Sequence, residues 1–134
     1  MNNLDVSVEE YTTPNPITAP EEIGIDQLSA LMKEHGIRHI PIVRDSQVVG
    51  VVSDRDLKVV LCLDLKEKSL VQAGDIMTHD PVTVHADARL EDVAMDMSAR
   101  KIGSVLVNDG DNLLGIFTVT DALNALIETL RESR

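Results

Sequence analysis

Gly50-Val-Val-Ser-Asp-Arg-Asp-Leu57 and Gly115-Ile-Phe-Thr-Val-Thr-Asp-Ala122 are two versions of one pattern, Gly-apolar-apolar-Ser/Thr-x-x-Asp. Taken alone, the first copy shows two carboxylates, Asp54 and Asp56, on either side of Arg55. That grouping suits an acid/base pair, a metal site, a helix start or a ligand-binding edge. The second copy acts as a control. Val119 stands where Asp54 does, whereas Asp56 returns as Asp121 and Ser53 as Thr118. The double carboxylate is therefore local to one copy, and the hydroxyl–acid pair is what repeats.

Working outward, the same offset of 65 residues relates Pro16-Ile-Thr18 to Pro81-Val-Thr83. Held without a gap, it also pairs Thr13 with Thr78, Ile25 with Leu90, Met32 with Met97, Ile37 with Ile102, Ile42 with Val107 and Leu61 with Leu126. A duplication of this kind decides the architecture before any local reading. It divides the chain into residues 8–69 and 73–134, joined by a polar hinge near Lys66-Glu-Lys-Ser69. Each half opens with a short extended piece. Apolar residues at helical spacing follow: Ile25, Leu28, Leu31 and Met32, then Leu90, Val93, Ala94 and Met97. Gly36 ends the first of these helices. Arg38–Val43 and Gln47–Val52 read as strands about a turn at Arg44-Asp-Ser. Ser104–Val107 and Asn112–Phe117 do the same about Asn108-Asp-Gly-Asp. Closing helices are expected over about Asp54–Leu63 and Val119–Leu130. The fold class is α/β (α+β), with the order β-α-β-β-α given twice. A unit of this size with a three-stranded sheet cannot bury both faces alone. Two units packed sheet to sheet about a pseudo-twofold axis, with two equivalent clefts between them, are the expectation from burial.

Composition removes several classes of function. The chain has 134 residues, 43% of them apolar but only 1% aromatic, so its core is aliphatic and it lacks stacking platforms for single-stranded nucleic acid. A formal charge of −11 opposes a duplex or an anionic membrane surface. Small anionic ligands remain possible, because a few basic side chains and backbone N–H groups set a local field. The single cysteine, Cys62, allows no internal disulfide, and its apolar neighbours suggest a buried thiol. No apolar run is long enough for a membrane span, and MNNLDVSVEE carries no signal-peptide apolar region. A free-standing cytoplasmic protein is expected.

Ser/Thr-x-x-Asp before an apolar periodic run is a near relative of the capping box, in which the hydroxyl and the acid close the helix start reciprocally. Capping alone explains neither the glycine at fixed distance nor the repeated Pro-x-Thr strand. Here the residues resemble a known family. Both halves look like CBS domains, named after cystathionine β-synthase, and the chain looks like a CBS-domain pair. The resemblance rests on Tyr11-Thr-Thr-Pro-Asn-Pro-Ile-Thr18, Ile76-Met-Thr-His-Asp-Pro-Val-Thr83, Arg38-His-Ile-Pro-Ile-Val43 and the two Gly-x-x-Ser/Thr-x-x-Asp segments.

What the resemblance implies is a regulatory module that binds AMP, ADP, ATP or S-adenosylmethionine in clefts between its repeats and requires no cofactor. In the family the acid accepts from ribose hydroxyls, the Ser/Thr and nearby basic residues face phosphate, and two strands sandwich the adenine. Carried over, Asp56 and Asp121 hold ribose, while Ser53 and Thr118 lie by the phosphates. Thr18, Ala19, His39, Ile40 and Pro41 line adenine in the first copy. Thr83, Val84, Ser104, Val105 and Leu106 do so in the second. Val52 and Phe117 are assigned to the core wall. General chemistry agrees, since a carboxylate can accept two hydrogen bonds from a ribose diol and a helix start suits phosphate. Arg55 offers a phosphate partner where the second copy has Thr120, and Pro41 is replaced by Leu106. Two unequal sites are therefore expected.

His35 and His39 are separated by Gly36 and do not share a helical face, so no metal site is expected. No nucleophile elbow, phosphate loop or dinucleotide fingerprint is present. The expectation is a non-enzymatic ligand sensor, acting as a homodimer on an effector protein. The alternatives are a ligand-independent dimerisation module, in which the acids only cap helices, and a phosphohydrolase using Asp54 and Asp56. The last is disfavoured by Val119.

Overall fold

The structure, a computed structural model, describes residues 5–134. Met1–Leu4, the start of the stretch read above for a leader, lie outside the described residues. Two compact units are present. One is Ile17–Pro81; the other combines the described residues up to Pro16 with Val82–Arg134. The divisions fall at Pro16/Ile17 and Pro81/Val82, equivalent places in the two repeats. Relative to the repeats of the sequence, the units have exchanged their opening segments.

In the unit of residues 17–81, a four-stranded sheet has the order β2-β3-β4-β5. Its strands are β2 (Ala19–Pro20), β3 (His39–Arg44), β4 (Gln47–Ser53) and β5 (Thr78–His79). β2 runs parallel to β3, with Ala19 opposite Ile42. β3 and β4 form an antiparallel hairpin running from His39 opposite Ser53 to Arg44 opposite Gln47. Asp45 and Ser46, at φ 49° and 66°, make its two-residue turn, the left-handed pair that matches strand twist. β5 completes the sheet antiparallel to β4, with Gly50 opposite His79.

The other unit repeats the plan with the order β1-β8-β7-β6. Its strands are β1 (Thr13–Pro14), β6 (Thr83–His85), β7 (Ser104–Asp109) and β8 (Asn112–Thr118). Here β1, from the far end of the sequence, pairs antiparallel with β8, and Pro14 lies opposite Gly115. The three-stranded sheet expected for each unit is thus four-stranded. An edge strand of unpaired backbone groups is covered by the borrowed strand.

That exchange explains the glycine of the repeated pattern. A Cβ on Gly115 would collide with the backbone oxygen of Thr13 and lie 2.6 Å from Thr12 Cγ2. A Cβ on Gly50 would lie 2.7 Å from Met77 Cγ and 2.9 Å from the Thr78 carbonyl oxygen. Each glycine sits where the borrowed strand crosses, and a side chain there would push the strand away.

Helix α1 (Ile25–His35) ends on Gly36 in the left-handed conformation, φ 62°, as its sequence predicts. Its counterpart α5 (Leu90–Arg100) ends the same way on Lys101, φ 58°, where a side chain makes the turn costly. The closing helices differ. α6 runs from Val119 to Glu132, whereas α2 stops after Asp54–Val60. The polar hinge expected at Lys66–Ser69 is instead part of a single helical turn, α3 (Leu65–Lys68), capped by Asp64, whose Oδ1 accepts from Glu67 N at 2.8 Å. Another short helix, α4 (Ala73–Ile76), precedes β5. The early end of α2 also corrects the reading of Cys62. The chain leaves the helix at Leu61, so Cys62 faces solvent rather than the core.

Each unit has its own aliphatic core. Ile25, Leu28, Met32, Ile40, Ile42, Val52 and Leu57 pack with Ala73 and Met77, which precede β5. Val93, Met97, Val105, Val107 and Phe117 pack with Val8 from the short 3₁₀ turn Val8–Tyr11 ahead of β1. The borrowed segments therefore contribute buried side chains as well as a strand. Val52 and Phe117 are fully buried core walls.

Candidate functional site

The hydroxyl–acid pattern forms closed helix caps in both units. Ser53 Oγ accepts from the backbone N–H of Asp56 at 3.2 Å, and Asp56 Oδ2 accepts from Ser53 N at 2.9 Å. Thr118 and Asp121 repeat the exchange, with Thr118 N donating to Asp121 Oδ2 at 2.9 Å. The hairpin fixes where the caps sit. Asp54 N donates to Arg38 O at 2.8 Å, and Val119 N to Gly103 O at 3.1 Å, so each helix start is tied to the entry of the strand beside it.

Around the first cap, the structure gathers the predicted residues within one unit. His39 pairs with Ser53 across the hairpin and lies half-buried. Its imidazole is pushed below the usual histidine range chiefly by burial; Asp54 and then Asp56 pull the other way, and the charge of Arg38 adds a smaller push downward. Thr18 is exposed beside buried Ala19. Arg55 is exposed on the first turn of α2. Ile40 points into the core, so only its backbone can face a ligand; Pro41 is also buried.

Around the second cap, Thr83 is exposed, Val84 and Ser104 are half-buried, and Val105 and Leu106 are buried, Val105 within the core. Thr120 is exposed on the first turn of α6. Asp121 is buried, and its Oδ1 accepts from Thr13 Oγ1 at 3.1 Å. Sequence reasoning missed Thr13 as a hydrogen-bond partner of Asp121. The equivalence of Thr13 and Thr78 was visible, but pairing Thr13 with the other repeat's aspartate required the strand exchange. An open groove of about 610 Å³ beside α1, lined by Pro20, Glu22, Ile23, Gln27, Ala30, Leu31 and Glu34, shares no residue with either predicted set.

A family model for the CBS domain matches twice, at residues 8–62 and 73–128. The chain belongs to the CBS-domain family. Similar solved structures include the CBS domain pair of protein MJ0100 in complex with 5′-methylthioadenosine and S-adenosyl-L-methionine. It has a TM-score of 0.81 and 28% identity, with 92% of this chain and 98% of that one covered. The structure of CBSX2 in complex with AMP gives a TM-score of 0.78 at 28% identity, covering 92% of this chain and 97% of that one. Among curated relatives, inosine-5′-monophosphate dehydrogenase of Korarchaeum cryptofilum (strain OPF8) is 29% identical over 114 residues, 84% of this chain. The CBS chain spans only 23% of that enzyme's length. The mixed α/β architecture and the tandem of CBS repeats read from the sequence are those of these structures. No helix among the described residues is long and apolar enough to cross a membrane.

Proposed function

We propose that this CBS-domain pair is a non-enzymatic, cytoplasmic regulatory module that senses adenine nucleotides, AMP, ADP or ATP, or a related adenosyl compound such as S-adenosylmethionine. The carrying observation is the Ser53–Asp56 cap beside His39 and Arg55. It places a carboxylate, a hydroxyl and a cation at the start of one helix. In this reading Asp56 accepts from the ribose hydroxyls, Ser53 and Arg55 face phosphate, and Thr18, Ala19, His39, Ile40 and Pro41 border the adenine, the buried ones through their backbone. Thr83, Val84, Ser104, Val105, Leu106, Thr118, Thr120 and Asp121 form the equivalent set in the other unit. Support comes from the similar CBS pairs whose structures hold AMP, or 5′-methylthioadenosine and S-adenosyl-L-methionine.

Regulation requires that ligand prefer one arrangement of the chain, or of a homodimer, over another. A homodimer is favoured by α6, where Val119, Leu123, Leu126 and Leu130 form an exposed apolar stripe at helical spacing. The same stripe and the closed caps favour the second reading, a dimerisation module without ligand that contacts an effector protein. Calorimetric titration with AMP, ADP, ATP and S-adenosylmethionine separates the two. Saturable binding by wild type, lost in the Asp56→Ala plus Asp121→Ala variant, is expected. No binding by folded protein, or equal binding by the double variant, favours the dimerisation module.

A further inference from the structure

We infer that the two aspartates of the repeated pattern have divided their roles: Asp56 receives the ligand, Asp121 is a structural strut, and a phosphorylated adenine nucleotide binds once per chain, in the unit of residues 17–81. The inference deepens the nucleotide-sensing reading and rests on it.

The hydrogen bonds of the two carboxylates carry the distinction. Asp121 is 9% exposed, and both of its oxygens accept hydrogen bonds. Oδ1 accepts from Thr13 Oγ1 at 3.1 Å, and Oδ2 accepts from Thr118 N at 2.9 Å and from Thr118 Oγ1 at 3.1 Å. Three of the roughly four acceptor positions of the carboxylate are thus filled, so a ribose diol, which donates two hydrogen bonds, could not place both on Asp121 without displacing Thr13 or Thr118. The Thr13 bond also has a structural purpose, since it ties the borrowed strand β1 to the start of α6. Asp56 differs on each count. It is half-buried, its Oδ2 accepts from Ser53 N at 2.9 Å, and no donor among the described residues reaches Oδ1. That oxygen is open to an incoming hydroxyl.

Charge points the same way. Arg38, His39 and Arg55 stand where the other unit has Gly103, Ser104 and Thr120. The first cap thus has two guanidiniums against Asp54 and Asp56, while His39, held below the usual histidine range chiefly by burial, adds no positive charge at neutral pH. The second has a carboxylate and no cation at the equivalent positions. A phosphate dianion at the second cap would find no cation at these positions, whereas the first turn of α2 carries Arg55.

Calorimetric titration of AMP into the full chain tests this. One AMP per chain is expected, with Asp56→Asn weakening it tenfold or more. Two AMP per chain, or unchanged affinity in Asp56→Asn, would overturn the division. Thr13→Val removes the strut's donor while leaving both aspartates in place. It is expected to lower Tm by about 3–8 °C and to leave AMP affinity within about twofold. Thr78→Val, its counterpart, is expected to leave Tm within about 1 °C. An unchanged Tm in Thr13→Val would overturn the strut. Absence of AMP binding by folded wild type would sink the nucleotide-sensing reading itself, and with it the ligand role of Asp56, whereas the Tm of Thr13→Val would still report on the strut.

Discussion

Replacing Gly115 with alanine should cost this protein more than its small size suggests. In the native backbone the new Cβ collides with Thr13 O and lies 2.6 Å from Thr12 Cγ2 and 3.0 Å from Thr13 C. Two of those three atoms are backbone, so no rotamer change relieves the overlap; β1 has to move off β8. That movement loosens the Thr13–Ile116 and Pro14–Gly115 pairings, the Asn15 N to Leu114 O bond at 3.3 Å, and the Thr13–Asp121 bond. Overpacking of a tight contact costs about 1–3 kcal/mol, and the rigidity of the obstruction puts this case near 2–3 kcal/mol. For a domain of this size that corresponds to a Tm drop of roughly 7–11 °C. Gly50→Ala is the internal comparison. Its nearest obstruction is the flexible side chain of Met77, with Thr78 O behind it at 2.9 Å. It should destabilise less, by about 1–2 kcal/mol. Urea and thermal unfolding of both variants measure the difference. A Gly115→Ala protein as stable as wild type, or a larger loss from Gly50→Ala, would refute the close crossing of β1 over β8.

Further outcomes follow from single residues. Lys101→Gly should stabilise the protein by about 0.5–1 kcal/mol in denaturant unfolding, because Lys101 holds a left-handed φ of 58° that glycine adopts freely. Tyr11 is the chain's one tyrosine, and burial, followed by its hydrogen bond to Glu128, pushes its phenol up to about 12. The phenolate absorbance should therefore rise well above the ordinary midpoint near 10, and Glu128→Gln should move the midpoint down. The proton affinity of His39 is lowered in the folded state, so below its ordinary range the unfolded chain binds the extra proton first. The stability contributed by the neutral imidazole is present above about pH 6.5 and falls as pH drops through the folded value. His39→Gln should flatten that limb of a pH–stability profile. Arg55→Gln should weaken AMP by about tenfold while leaving adenosine nearly unchanged, read by calorimetry.

Much of the fold is legible in the chain because its repeat is gapless. Helix α1 and both hairpins follow from period and from Gly36, and the hydroxyl–acid caps follow from Ser/Thr-x-x-Asp. The exchange of opening segments is not legible, since identical patterns at Thr13 and Thr78 allow either strand to pair with either hairpin. The observed pairing seats Val8 in one core and Ala73 and Met77 in the other. The exposure of Cys62 was hidden for a related reason. Val59 to Leu63 look like one apolar helical run, but Asp64 caps a new turn and draws the chain out of α2. At the candidate site, the difference between Arg55 and Thr120 is plain in the sequence. The difference between a committed Asp121 and an open Asp56 depends on Thr13, 108 residues away along the chain.

The most direct measurement is a crystal structure of the full chain grown with saturating AMP. The expected result is one nucleotide per chain, its ribose hydroxyls on Asp56 and its phosphate facing Ser53 and Arg55. A nucleotide seated away from the Ser53–Asp56 cap, or none at all in crystals of folded protein at saturating AMP, would contradict the nucleotide-sensing role.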